Sequence, residues 1–153
     1  MRIAILFGSE MGTSEAVAES LTDELSSHDV SMQDMFDFDP ADLDPAHFHI
    51  IVCSTYGDGE LPTGAEPFFA RLESTRPDLT GLRFAVFGLG DTVYGDSFNR
   101  GGELAAAHLT ARGATQVGDH ARHDASTLIR ANDMAREWVA TLPLPGLGTR
   151  MTA

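Results

Sequence analysis

Positive charge is scarce in this chain: 10 basic residues stand against 23 acidic ones, a formal net of -13, and no Lys or Arg lies between Arg2 and Arg71. That excludes nucleic acid and anionic membrane as natural partners, because both need a basic face. A basic patch on another protein is the partner left, unless the acidity serves solubility alone. Cysteine is nearly absent: Cys53 is the only one, so no intramolecular disulfide can form, and its place in an apolar run predicts a buried, reduced thiol. No apolar run approaches a membrane span, and the first strand follows Met1 so closely that no signal or transit peptide is expected, which predicts a cytoplasmic location. No internal repeat is evident. With 153 residues, 42% of them hydrophobic, one globular domain is expected.

Two nucleotide motifs are missing as well. After the first strand a nucleotide-hydrolysing loop would need a Gly-Lys pair, but Gly12 is followed by Thr13, Ser14 and Glu15. A dinucleotide fingerprint fails because Glu10 stands where the second glycine belongs. What is present is an apolar run, Ile3 to Phe7, that stops in G-S-E-M-G-T-S and opens a helix. Gly8 and Gly12 allow a tight turn and close approach of a ligand, Ser9, Thr13 and Ser14 offer hydroxyls, and the first helical amides carry the positive end of the helix dipole. A monophosphate held by neutral donors is the reading that remains. For this loop alone, a plain strand-to-helix turn with Thr13 as N-cap is the alternative.

Along the chain, Val17, Leu21 and Leu25 predict a helix from Thr13 to Ser27. Val30 to Phe36 alternates like an edge strand, Asp37 to Pro45 is an acidic loop, and Phe48 to Ser54 reads as a buried central strand. A short helix over Ala65 to Glu73, a strand over Leu82 to Phe87 and a helix over Gly101 to Arg112 capped by Gly113 follow. A fifth strand is expected from Thr115 to about Ala121, and Leu128, Ala131, Ala135, Trp138 and Leu142 predict a last helix from Ala125 to Leu142, giving a domain over residues 1–142. The tail, residues 143–153, is expected to fray. Five strands alternating with helices specify α/β: a three-layer, doubly wound sandwich around a five-stranded parallel sheet.

In such a fold ligands bind at the carboxyl ends of the strands, so the loops after strands 1, 3 and 4 should meet. The second is S-T-Y-G-D-G-E-L-P-T-G from Ser54 to Gly64; the third is G-L-G-D-T-V-Y-G-D-S-F-N from Gly88 to Asn99. They hold the only two tyrosines, Tyr56 and Tyr94. Two loop aromatics flanking a phosphate site suit a flat heteroaromatic ring between them.

These three loops, in this order, resemble those of the flavodoxin-like family, in particular the FMN-binding domains of the diflavin reductases and the short-chain, MioC-type flavodoxins. The resemblance spans about Met1 to Leu142 and implies strand order 2-1-3-4-5 with FMN as cofactor. By it, Ser9, Glu10, Met11, Gly12, Thr13 and Ser14 would hold the phosphate. Ser54, Thr55, Tyr56, Gly57, Asp58 and Gly59 would line one face of the isoalloxazine, and Leu89, Gly90, Asp91 and Tyr94 the other, with Phe98 and Asn99 following. Phe98 stands four residues after Tyr94, where the diflavin pattern has three. Asp119 or Asp124 stands in place of that branch's acidic run.

The implied function is an electron-transfer flavodoxin that carries single electrons. An NAD(P)H-dependent flavoprotein reductase would reduce it and a redox acceptor protein would take the electrons, docking on an acidic face formed by Asp37 to Asp44 and by Asp58, Glu60 and Asp96. A monomer is expected. Carboxylates near the ring, Asp58, Glu60, Asp91 and Asp96, would disfavour an anionic reduced flavin and lower its potential. Gly57 would let its peptide turn so that its carbonyl accepts from flavin N5. The rival readings are an NAD(P)H-dependent flavin reductase of the same fold and a flavin-binding module without a redox role. A phosphoryl-accepting receiver is disfavoured, because Gly8-Ser9, Ser54 and Gly88 stand where it needs an acidic pair, an Asp and a Lys. His120 and His123 are too few for a zinc site.

Overall fold

The computed structural model describes residues 2–9, 12–56, 59–91 and 99–144. The elements are β1 (Arg2–Gly8), α1 (Thr13–Glu24), β2 (Asp29–Asp34), a 3-10 turn (Pro40–Asp42), β3 (Phe48–Cys53), α2 (Glu66–Thr75), β4 (Arg83–Gly90), α3 (Arg100–Ala111), β5 (Thr115–Gln116), β6 (Ala121–Asp124) and α4 (Ala131–Val139). The sheet is parallel, in the order β2-β1-β3-β4-β5, with β6 also paired to β4.

Apart from Arg2 and Arg83 at their starts and the buried His49 of β3, the central strands are apolar because both their faces are covered. Ile3, Ile5, Phe7, Ile50, Val52 and Phe87 pack on one side against Val17 and Leu21 of α1 and Trp138 of α4. Leu6, Ile51, Cys53, Phe84 and Val86 pack on the other against Phe68 and Leu72 of α2 and Leu109 of α3. Cys53 is a buried free thiol, pushed up to about 12 by burial. On the edge strand β2, exposed and partly buried residues alternate.

Several expectations about element bounds need correction. The fifth strand is not continuous: Thr115 and Gln116 pair with Arg83 and Phe84, whereas Ala121 to Asp124 pair with Phe87 to Gly90. The four residues Val117 to His120 thus stand opposite the two residues Ala85 and Val86, an insertion that bulges from the edge. The bulge is braced by the Trp138 Nε1–H, which donates to the Asp119 carbonyl at 2.9 Å, while the Trp138 ring packs edge-on to Phe87.

The last helix begins at Ala131, not Ala125, and Leu128 is fully exposed rather than part of its apolar stripe. Asp124 explains the difference. Its Oδ1 accepts from the Ser126 N–H at 2.9 Å and the Ser126 hydroxyl at 2.7 Å, and its carbonyl accepts from Thr127, so the chain turns before the helix can start. At the other end, Leu144 is buried beside Leu142, so packing continues into the segment read as tail. The first helix also stops sooner than expected, at Glu24. Among the described residues no helix is long and apolar enough to cross a membrane.

Candidate functional site

The first loop leaves β1 at Gly8, and its two glycines do different work. Gly8 is a packing residue, since a Cβ there would stand 2.6 Å from the Ala65 Cβ. Gly12 is a conformational one: its φ of +90° lies in the left-handed region, with open space where a side chain would go. The Ser9 hydroxyl accepts from the Gly12 N–H at 2.6 Å and closes the loop. Gly12, not Thr13, occupies the N-cap position, and no side chain caps α1. Because the first intrahelical bond runs from the Ala16 N–H to the Gly12 carbonyl, the amides of residues 13–15 have no intrahelical acceptor. The Ser14 hydroxyl is fully buried beside them with no partner. Unpaired amides, an orphaned hydroxyl and a glycine without a side chain make a cradle that fits a phosphate monoester. Glu10 and Met11 lie outside the described residues.

The second loop is joined to the first at two points. The Ser54 N–H donates to the Gly8 carbonyl at 3.2 Å, and the Gly64 N–H donates to the Ser9 carbonyl at 3.2 Å. Gly64 is required there, because a Cβ would stand 2.6 Å from the Ser9 carbonyl oxygen. Between these points Tyr56 and Glu60 form an antiparallel bridge, closed through Gly59 at a φ of +106°. The bridge holds the Tyr56 ring half exposed at the lip of the sheet. Gly57 and Asp58 lie outside the described residues.

The third loop meets the second through Thr55, whose hydroxyl donates to the Leu89 carbonyl at 3.1 Å and accepts from the Gly101 N–H at 2.9 Å. Leu89 is buried, and Gly90 and Asp91 are partly so. Asn99 lies fully buried at the N-cap of α3 with a left-handed φ of +58°, and its Nδ2 donates to the His123 carbonyl at 3.1 Å. Tyr94 and Phe98, with Asp96, lie outside the described residues, so the second ring position and the spacing after it have no described geometry.

Several residues that hold the site were not visible as such in the sequence. Gly101 carries no side chain because a Cβ would collide with the Ser54 carbonyl oxygen at 2.1 Å. Gly88 and Gly102 make room for His120, whose Nε2 would stand 2.7 Å from a Cβ on either. That nitrogen and the Asn99 Oδ1 are both buried without partners. Burial, with Arg122 nearby, brings the His120 imidazole down to about 4, so it is neutral at pH 7. For Glu103, burial would raise the carboxyl, but the Arg122 and Arg100 guanidiniums hold it below its ordinary range. Asp119 contributes its carbonyl to the bulge and Asp124 builds the turn before α4.

Comparison with known proteins agrees with this geometry. The family model described as Flavodoxin matches residues 5–138. A MioC homologue of Haemophilus influenzae is 32% identical over 139 residues, 91% of this chain and 94% of that protein. NADPH oxidoreductase A of Dictyostelium discoideum is 38% identical over 96 residues, 60% of this chain but 15% of that protein. Among solved structures, a cysteine-to-alanine mutant of flavodoxin from Pseudomonas aeruginosa superposes with a TM-score of 0.81 at 34% identity, covering 92% of this chain and 95% of that one. The family match over most of the length, the strand order and the phosphate cradle agree: the chain belongs to the flavodoxin family, and its cofactor is FMN.

Proposed function

We propose that this flavodoxin shuttles single electrons between two proteins, taking them from a separate NAD(P)H-linked flavoprotein reductase and passing them to an acceptor enzyme. The observation that carries the reading is the placement of Tyr56. A ring held half exposed by a hydrogen-bonded bridge puts the isoalloxazine position at the molecular surface, where another protein can approach it. The similarity to part of a protein named NADPH oxidoreductase A supports an NADPH-linked donor.

In this reading the amides of residues 13–15 and the hydroxyls of Thr13 and Ser14 hold the phosphate, and Ser9 keeps the loop closed. Tyr56 and Tyr94 flank the ring, with Ser54, Thr55, Leu89 and Gly90 at its edges. Bound FMN supplies the capacity to take and give electrons one at a time. The protein contributes orientation and charge: Glu60 and Asp91 beside the ring position oppose added negative charge. All three loops come from one chain, which supports a monomer.

Anaerobic mixing tests the reading. NADPH alone should leave the flavin absorption of the holoprotein unchanged. A catalytic amount of an NADPH-linked flavoprotein reductase should bleach it, and an added haem acceptor should restore it. Bleaching by NADPH alone would instead identify a flavin reductase.

A further inference from the structure

Charge is divided unevenly along this chain. There is no lysine; of the 10 arginines, six lie in residues 99–153, together with five of the 23 carboxylates. The net of -13 therefore arises entirely in residues 1–98, and the part comprising α3, β5, β6 and α4 is close to neutral. Exposed apolar side chains are placed with equal bias. The large ones among the described residues are Phe36, Tyr56, Leu128 and Ile129, which follow β2, β3 and β6. All four thus lie on the carboxyl edge of the sheet, where the cofactor loops meet.

Single exposed leucines are ordinary on protein surfaces. Leu128 and Ile129 differ in being adjacent, 102% and 59% exposed, and rigidly presented. The turn at Asp124 fixes one side of their loop; the His123 imidazole fixes the other, its Nε2 bonded to the Ile129 carbonyl at 2.7 Å. The Ala125 N–H donates to the Gly90 carbonyl at 2.8 Å, tying the loop directly to a ring loop. Ile129 also shares a shallow recess with Thr13 of the phosphate loop, lined further by Arg130, Asp133 and Arg136. The loop thus stands between the two ends of the cofactor site. Two of the arginines around it are neutralised, Arg122 by Glu103 at 2.7 Å and Arg136 by Asp133 at 3.1 Å, whereas Arg130 has no carboxylate within 4.0 Å among the described residues.

We propose that Leu128 and Ile129 form an apolar knuckle that inserts into a recess on the electron-donating reductase, with Arg130 meeting a carboxylate on the rim of that recess. The proposal rests on the carrier reading and adds to it a contact of opposite polarity to the acidic face. Two complementary ends, an acidic one near Asp37 to Asp44 and this apolar, arginine-bearing one, fix the orientation of the partner where a single acidic face would let it rotate. A second copy of the chain is a poorer occupant, since two-fold pairing of the knuckles would set Arg130 against its own counterpart.

The test is steady-state reduction of the holoprotein by NADPH and an NADPH-linked flavoprotein reductase. For L128S/I129S the KM for this protein should rise about tenfold or more while kcat changes little, as expected for loss of central apolar anchors. For R130E the rise should shrink with added salt. Reduction by dithionite, which needs no docking, should be unaffected in both variants. An unchanged KM in both overturns the knuckle and leaves the carrier reading intact. A wild-type protein that the reductase does not reduce overturns both. A wild-type dimer that L128S/I129S dissociates in sedimentation would assign the knuckle to self-association, and flotation with anionic vesicles that the variant loses would assign it to lipid; either result overturns the proposal.

Discussion

The Thr55 hydroxyl donates to the Leu89 carbonyl at 3.1 Å while accepting the Gly101 N–H at 2.9 Å, so one side chain joins two cofactor loops and the start of α3. Thr55→Val keeps the shape but leaves the Gly101 amide and the Leu89 carbonyl unpaired. A loss of about 1–3 kcal/mol in urea denaturation is expected, with weaker FMN binding, and Thr55→Ser should recover most of both.

Ser14→Ala removes the orphaned hydroxyl of the phosphate cradle. FMN affinity should fall about tenfold, one hydrogen bond to a charged group, while riboflavin, which has no phosphate, should bind unchanged. Fluorescence titration with both ligands checks this; an equal loss for both would place the FMN phosphate elsewhere.

Gly101→Ala should be among the most damaging single-methyl additions, because its Cβ would meet the Ser54 backbone at 2.1 Å and backbone cannot swing aside. Destabilisation of about 1–3 kcal/mol is expected by thermal melting of the apoprotein.

His49 and His120 are both lowered from 6.5 to about 4, in each case chiefly by burial. The unfolded chain takes up their protons as pH falls below about 6.5; the folded chain does so only near 4. The stability they contribute is therefore full above about 6.5 and is lost between 6.5 and 4. Urea midpoints should fall across that window, and His49→Gln, at the more deeply buried site, should flatten the slope.

The Cys53 thiol, fully buried and raised to about 12, should not react with a disulfide reagent at pH 8 in the folded protein, and should react at once in denaturant. A fast reaction under native conditions would show that β3 opens locally.

Much of this fold was legible in the sequence because parallel strands buried on both faces leave unbroken apolar runs, as at Ile3 to Phe7, and because chain order dictates which loops meet. The strand-to-helix turn proposed to hold the phosphate is legible for a related reason: its residues are neighbours in the chain, from Ser9 to Ser14. Long-range features were not. Periodicity placed Leu128 on a helix since it cannot register that the Asp124 carboxylate holds the chain in a turn. The split of the fifth strand has no signature in its own residues, because pairing with β4 is a property of two segments. In the sequence Gly64 and Gly88 belong to loops and Gly101 to the start of a helix, while the structure shows them excluded from bearing a Cβ by the backbone of Ser9 or Ser54, or by the Asn99 and His120 side chains across the fold.

The bulge at Val117 to His120 adds two residues relative to β4. Gly118 turns the chain out of strand geometry inside this insertion, at a φ of +75°, so the alternation of side chains is not carried across it. The pairing of β6 with β4 alone sets which of its residues face inward: Ala121 and His123 are buried and Arg122 is exposed. The bulge thus acts as an expansion joint, in which the chain can change length without turning the Arg122 guanidinium into the core.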